Sequence, residues 1–282
     1  MTNGRCAELS EAAGESIAAT ATTAHNWLLV EVRGTWSRDV TDATALDDTE
    51  RTSVRAWLEE VPSSRLLFIR RPGRACDKRL VFVVRAGERE TGVRRIELDG
   101  RDTLGDVDLG VDGDMTDTQL VLVCGHGTRD ACCALRGSAV YGALGAVVAH
   151  DELWLSSHQG GHRFAANVLV LPGGIQLGRV PPEHAARIVR DALAGRIAIE
   201  HYRGRTAYSP REQAAERAVR ESSGLVSLLD LKLAGDDGTN VRFVAAGGRE
   251  YCASVEQAMG ATVPVSCGAQ PELQIHLGAR LV

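Results

Sequence analysis

The chain has 282 residues, 44% of them hydrophobic and 24% charged. That is enough for one large or two ordinary folded domains and excludes a disordered polymer. A net charge of -5, with arginines scattered among acids, argues against nucleic acid as a partner.

No apolar run approaches the ~20 residues that cross a bilayer. The start, MTNGRCAELSEAAGES, carries early acids and lacks the apolar core of a secretory signal. The expected location is therefore cytoplasmic, with no membrane partner. There the seven cysteines stay reduced, and a clustered subset points to metal binding or redox work.

In chain order, residues 1–20 read as a small, polar, loosely packed start. Trp27–Val32 is a strand apolar on both faces, and Thr49–Glu60 has helical spacing ended by Pro62. Arg65–Arg70 and Arg79–Arg85 follow as strands around a turn at Pro72–Gly73. The alternation makes residues 1–115 an α/β region, closed by an acidic, Gly-rich surface stretch, Asp99–Asp117.

Residues 116–200 form the next expected domain. Gln119–Val123 is a buried strand running into Cys124, and Ala131–Ala149 is a helix that Gly137, Gly142 and Gly145 weaken. Glu152–Leu155, Asn167–Pro172 and Ile175–Val180 are strands, the last two forming a hairpin through Gly173–Gly174. A helix from Glu183 to about Gly195 follows Pro181–Pro182. Strand, helix, strand, strand, strand, helix is the order of a thioredoxin-like domain, an order several small α/β folds share in part. Residues 201–282 are a C-terminal extension. It holds a basic loop (His201–Pro210), an exposed helix (Arg211–Ser222) and strand-like pieces at Val241–Ala246 and Glu272–Leu277. No internal repeat is visible.

Chemistry concentrates between Val121 and His162. VLVCGHGTRDACC sets Cys124 and Cys133 nine positions apart, and LWLSSHQGGHRF sets His158 and His162 four apart. Two thiolates and two imidazoles complete one metal centre. Zinc accepts such a set, although zinc fingers space their cysteines more closely. A [2Fe–2S] cluster is wider, so a long Cys-to-Cys loop suits it, and histidine for cysteine on one iron is the Rieske variation. Rieske boxes, however, pair a Cys with a His within each loop; here the cysteines share one loop and the histidines the other. Cys132 adjoins Cys133 but should point elsewhere on a helix. Cys6, Cys76, Cys252 and Cys267 are expected to be structural. Arg129, Asp130, Arg163 and Asn167 stand near the ligands as supporting residues, Arg163 equally as a salt bridge tying its loop down. His126 and His150 are expected near the site or on the surface.

The runs CGHGTRDACCALRG, SSHQGGHRFAANVLVLPGG and YRGRTAYSP, with the opening AATATTAHNWLLVEVRGTW, resemble the sucrase/ferredoxin-like family from about Ala18 to Pro210. The resemblance implies a thioredoxin-like ferredoxin domain holding a [2Fe–2S] cluster through Cys124, Cys133, His158 and His162. Similar bacterial sequences often carry Asp where His162 stands. Sucrase chemistry has no support, since no pair of acid and base carboxylates flanks a sugar site.

The expected function is electron transfer with a redox partner protein, as a carrier rather than a stand-alone enzyme. Neutral imidazoles leave the cluster less negative than four thiolates would, so its potential should be higher. A histidine proton can follow the electron, which makes the potential depend on pH. Two alternatives compete: a thiol oxidoreductase using Cys124 or the Cys132/Cys133 pair, which lacks a Cys-x-x-Cys, and a zinc-stabilised binding protein. No GxGxxG follows a strand, so an internal NAD or flavin site is not expected.

Overall fold

The structure is a computed structural model that describes residues 4–40, 45–73 and 78–282. Cys76 lies outside the described residues. Ten strands form one sheet: β1 (Asn26–Glu31), β2 (Ser64–Arg70), β3 (Arg79–Ala86), β4 (Thr91–Leu98), β5 (Asp114–Thr116), β6 (Leu120–Cys124), β7 (Leu153–Ser156), β8 (Val168–Leu171), β9 (Ile175–Leu177) and β10 (Tyr202–Arg205). Their order is β10-β9-β8-β6-β7-β2-β1-β3-β4-β5. The chain is α/β, as the alternation predicts.

The helices are α1 (Cys6–Ala12), α2 (Asp48–Glu60), α3 (Ala131–Leu144), α4 (Pro182–Leu193) and α5 (Pro210–Ser223). Local chemistry explains their ends. Asp47 caps α2 through an Oδ1 that accepts from the Glu50 amide at 2.8 Å. Ser209 caps α5, Pro210 occupies its first turn, and Gly224 closes it in the left-handed conformation.

One face of the sheet packs on α2, α3 and α4 through Val54, Trp57, Val140, Leu144, Ile188 and Val189. On the other face Trp27, Leu29, Phe82, Leu122, Trp154 and Leu169 pack against one another, strand on strand, as the sheet curls. Both faces are therefore dry, which is why β6 and the Trp27–Val30 stretch of β1 are apolar.

The last four strands, β11 (Leu231–Asp236), β12 (Asn240–Ala245), β13 (Glu250–Pro264) and β14 (Pro271–Leu281), form a separate antiparallel sheet. α5 packs on it through Ala215 and Val219. α5 is not the exposed helix its polarity predicts: Gln213, Glu216, Val219 and Arg220 are buried. Glu216 and Arg220 form a buried ion pair at 2.9 Å, and Tyr202 Oη donates to Glu216 Oε2 at 2.8 Å. A buried charge pair with its remaining polar atoms satisfied can sit in a core.

Three further expectations are corrected. The polar start is not loose, because α1 buries Cys6 and Ala7 completely. His201–Pro210 is not a loop throughout, since it supplies edge strand β10, with Arg203 and Arg205 both buried. Of the two strand-like pieces of the tail, Val241–Ala246 is β12 within a residue, whereas Glu272–Leu277 is part of a much longer hairpin, β13–β14.

Candidate metal centre

β6 ends at Cys124, whose neighbour in parallel register is Ser156 at the end of β7. Two adjacent parallel strands thus deliver the cysteine loop and the histidine loop to one end of the sheet. Asp130 caps α3 through Oδ1, which accepts from the Cys132 amide at 2.8 Å, and the first turn of α3 presents Cys133. Gly137 lets that helix close in: a Cβ there would lie 2.0 Å from the Cys124 carbonyl oxygen. The glycine read as a weak point of α3 is what allows its approach.

One ligand atom each from Cys124, Cys133 and His158 lie within 4.8 Å of one another. His162 stands beside this trio, its ring 4.8 Å from that of His158 and tilted by 36°. Cys124 and Cys133 are fully buried, His162 nearly so and His158 half-buried. The Nδ1 atoms of both histidines are buried without a hydrogen-bond partner. Orphaned buried imidazole nitrogens are costly unless something binds them.

The electrostatics favour ligand forms. The Cys133 thiol donates to Cys124, and His158 adds its own attraction, so Cys124 is held well below the usual thiol range. The same shared proton, with burial, pushes Cys133 up. Burial and the neighbouring His158 push His162 down, which keeps its imidazole neutral and its lone pair free.

The histidine loop is held by Gln159, which sequence spacing missed, and by His126, which it placed near the site. Gln159 is buried and donates through Nε2 to Leu122 O at 2.8 Å and Ser156 Oγ at 2.7 Å. The His158 amide donates to His126 Nδ1 at 3.1 Å, and His126 Nε2 donates to Ser37 O at 2.8 Å. His126 is therefore a neutral, buried brace rather than a ligand. His150 is an exposed partner of Arg71.

Arg203 is the principal omission. Its guanidinium donates to Gly160 O and Asn167 Oδ1, both at 2.9 Å, to Thr20 Oγ1 at 3.0 Å, and to Thr20 O. Asn167 Nδ2 in turn donates to Gly161 O at 2.9 Å. Burial lowers Arg203 to about 9, still a cation at neutral pH. Gly161 sits at φ 67°, and a Cβ there would meet Arg203 Nη2 at 2.6 Å, so glycine is required twice over. The YRGR run was the available signal, but a two-residue alternation gives no hint that its arginine points inward.

Arg163 pairs with Glu15 at 2.8 Å, tying the loop to the N-terminal segment. Arg129 lines a cleft of about 340 Å³ with Arg38, Asp39, Arg65 and His158, the side on which the site meets solvent.

The profile of one family, sucrase/ferredoxin-like, matches residues 17–204, two thirds of the chain and both ligand loops. The chain belongs to the sucrase/ferredoxin-like family. Among curated relatives it is similar to proteins named altered inheritance of mitochondria protein 32. The Clavispora lusitaniae protein is 40% identical over 95 residues, covering 31% of this chain and 35% of that one. The Meyerozyma guilliermondii protein is 36% identical over 101 residues, covering 32% and 36%. The Eremothecium gossypii protein is 38% identical over 76 residues, covering 26% and 22%. The chain thus spans about a third of the length of the first relatives it matches. No solved structure matches it. Among the described residues no helix is long and apolar enough to cross a membrane.

Proposed function

We propose that this protein is a [2Fe–2S] electron carrier whose cluster is held by Cys124, Cys133, His158 and His162. The observation that carries the reading is the convergence of Cys124, Cys133 and His158, with His162 alongside and two imidazole nitrogens buried without partners. Donors of a tetrahedral zinc all lie about 3.3–3.8 Å apart. His162 stands outside the mutual 4.8 Å group, an arrangement that suits a wider, two-metal centre better than a single ion.

Burial of both cysteines opposes the thiol oxidoreductase alternative, because a disulfide substrate must reach the sulfur it exchanges with. The β7-β6-β8-β9 order, a parallel βαβ joined to an antiparallel hairpin, supports the thioredoxin-like reading of this part.

A bound cluster of this kind supplies one-electron transfer at a potential raised by histidine ligation. The chain's residues do the rest. Cys124 enters as a thiolate; Arg203, Asn167 and Gln159 fix the histidine loop; the sheet and α3 keep water from the sulfurs. Each imidazole retains its second ring nitrogen for a proton, so the potential falls as pH rises above neutrality. The half-buried His158, in its arginine-lined cleft, is where a redox partner protein with an acidic surface would approach.

The test is metal and spectroscopic analysis of the purified full chain. Two irons and two sulfides per chain, visible absorption and a paramagnetic signal on reduction are expected. A colourless protein, with zinc or nothing at these four residues after iron–sulfur reconstitution, would overturn the proposal. A pH-independent potential would remove the proton coupling alone.

A further inference from the structure

The two cysteines of the Cys132–Cys133 pair face different places. Cys133 joins Cys124, whereas Cys132 faces Cys6 at the start of α1 and Cys267 at the tip of the β13–β14 hairpin. The three sulfurs form a nearly equilateral triangle: Cys6 to Cys132 3.7 Å, Cys132 to Cys267 3.5 Å, Cys267 to Cys6 3.6 Å. Asp130 covers the triangle, with Oδ1 3.7 Å from the Cys6 sulfur and 3.3 Å from that of Cys267. All four residues offer ligand atoms within 4.8 Å of one another.

We infer that Cys6, Cys132 and Cys267, with Asp130 as fourth donor, hold a structural zinc ion distinct from the Cys/His site. The dimensions are those of a coordination shell. Zinc–sulfur bonds of about 2.3 Å at tetrahedral angles put sulfurs about 3.7–3.8 Å apart, and a carboxylate oxygen about 3.5 Å from each sulfur. A disulfide needs sulfurs at about 2.05 Å and would strand the third thiol. Three thiolates and a carboxylate, with no exchangeable position, are a closed set that zinc accepts.

The surroundings fit as well. Cys6, Cys132 and Asp130 are buried, and Cys267 is half-buried. The Cys132 and Cys267 amides each donate to Asp130 at 2.8 Å, on Oδ1 and Oδ2 respectively, which fixes the carboxylate's orientation. The Ala7 amide donates to the Cys132 sulfur and the Cys6 amide to that of Cys267. Amides directed at sulfur are the outer contacts expected of metal-bound thiolates. The ligands also explain the C-terminal hairpin: its tip reaches back to α1 and the first turn of α3. Three segments lying 126 and 135 residues apart in sequence are thereby fastened at one point.

The experiment separates the two metals in the same preparation. The purified full chain is stripped with chelator, loaded with zinc chloride alone, desalted and analysed by mass spectrometry for metal and for intact mass. One tightly held zinc is expected in the native sequence and in Cys124→Ser, but not in Cys267→Ser or Cys6→Ser. Cys267→His, which keeps a zinc-binding side chain, should retain it. Should Cys267→Ser fail to fold, X-ray absorption at the zinc edge of the native chain decides, with three sulfurs and one oxygen expected. No zinc after loading overturns the inference, as does undiminished zinc in both serine variants. Two further overturning results are a mass lower by two hydrogens from a disulfide and a shell containing two nitrogens. Iron at Cys124 and Cys133 is scored on the purified chain before stripping, so either site can fail while the other stands.

Discussion

The ten-stranded sheet contains the same arrangement twice. β1, α2, β2, β3 and β4 lie in the sheet order β2-β1-β3-β4; β6, α3, β7, β8 and β9 lie in the order β7-β6-β8-β9. In each, the first two strands are parallel, the next pairs antiparallel with the first, and a hairpin follows. The two units meet through antiparallel β2 and β7. Glu31 ends β1 opposite Ile69, as Cys124 ends β6 opposite Ser156. Counted from the first residue of each helix, Glu50 occupies the place of Cys133, and Val54 that of Gly137.

The first unit fills this place with an ion-paired knot. Arg79 donates through Nε to Glu31 O at 2.8 Å and through Nη1 to Glu50 Oε1, and Glu31 Oε2 accepts from the Leu80 amide at 3.0 Å. α2 packs on the sheet through the side chains of Val54 and Trp57, whereas Gly137 lets α3 descend onto Cys124. One topology thus carries a structural salt bridge in one unit and the proposed metal-ligand set in the other. The difference lies in the side chains at these matched places, Glu31 and Glu50 against Cys124 and Cys133, and Val54 against Gly137.

The sharpest contrast comes from removing a matched residue in each unit. Cys133→Ser should reduce iron to background, because three ligands cannot hold what four do, while the chain stays folded. Glu50→Gln should leave iron unchanged and lower stability by about 2–3 kcal/mol, part of the cost of breaking an ion pair whose Glu50 end is buried. Iron content and chemical denaturation measure both. Iron loss in the Glu50 variant would show that the two units are not independent.

Gly137→Ala comes next. Its Cβ would stand against the Cys124 carbonyl, so α3 must shift; about 3 kcal/mol of destabilisation is expected, with iron bound weakly. Val54→Ala, at the matching place, removes contacts instead and should leave iron untouched at a cost of about 1–3 kcal/mol.

Topology was legible where periodicity carries information. The strands Trp27–Val32 and Gln119–Val123 and the helix at Thr49–Glu60 lie within a residue or two of those observed. The hairpin at Gly173–Gly174 was also legible, though its second strand stops at Leu177. β4 was missed because Thr91–Leu98 sets the adjacent Arg94 and Arg95 among only three large apolar residues, Val93, Ile96 and Leu98, which breaks a strict two-residue alternation. The repeat was invisible because Glu and Cys, or Val and Gly, share no side-chain chemistry; only register relates them. The proposed ligand pair His158 and His162 stands out by its spacing. Arg203 holds its loop, and Cys6 meets Cys267, through contacts more than thirty residues apart, which no local pattern encodes.

Arg203→Met tests that long-range support. It preserves the bulk of the side chain and strips Asn167 Oδ1 and Gly160 O of their donor. The expected cost is about 1–3 kcal/mol, with faster loss of iron on exposure to chelator. Arg71, two residues past Ile69 as His158 is two past Ser156, is held by the His150 carbonyl instead, so substitutions around it should show no matching effect on iron.

The smallest effect concerns charge around His158. Arg65 donates to His158 O at 3.4 Å, which keeps its guanidinium beside the site. Arg129 lines the same cleft. Reversing Arg129 to Glu leaves every ligand in place and alters only the field an approaching partner meets. Electron transfer from an acidic donor protein should slow about tenfold at low ionic strength, and the difference should shrink as salt is added. The same reversal at Arg33, past the end of β1, lies on the unit without ligands and should leave the rate unchanged. Equal slowing by both would place partner docking away from His158, and the arginine-lined cleft would lose its role.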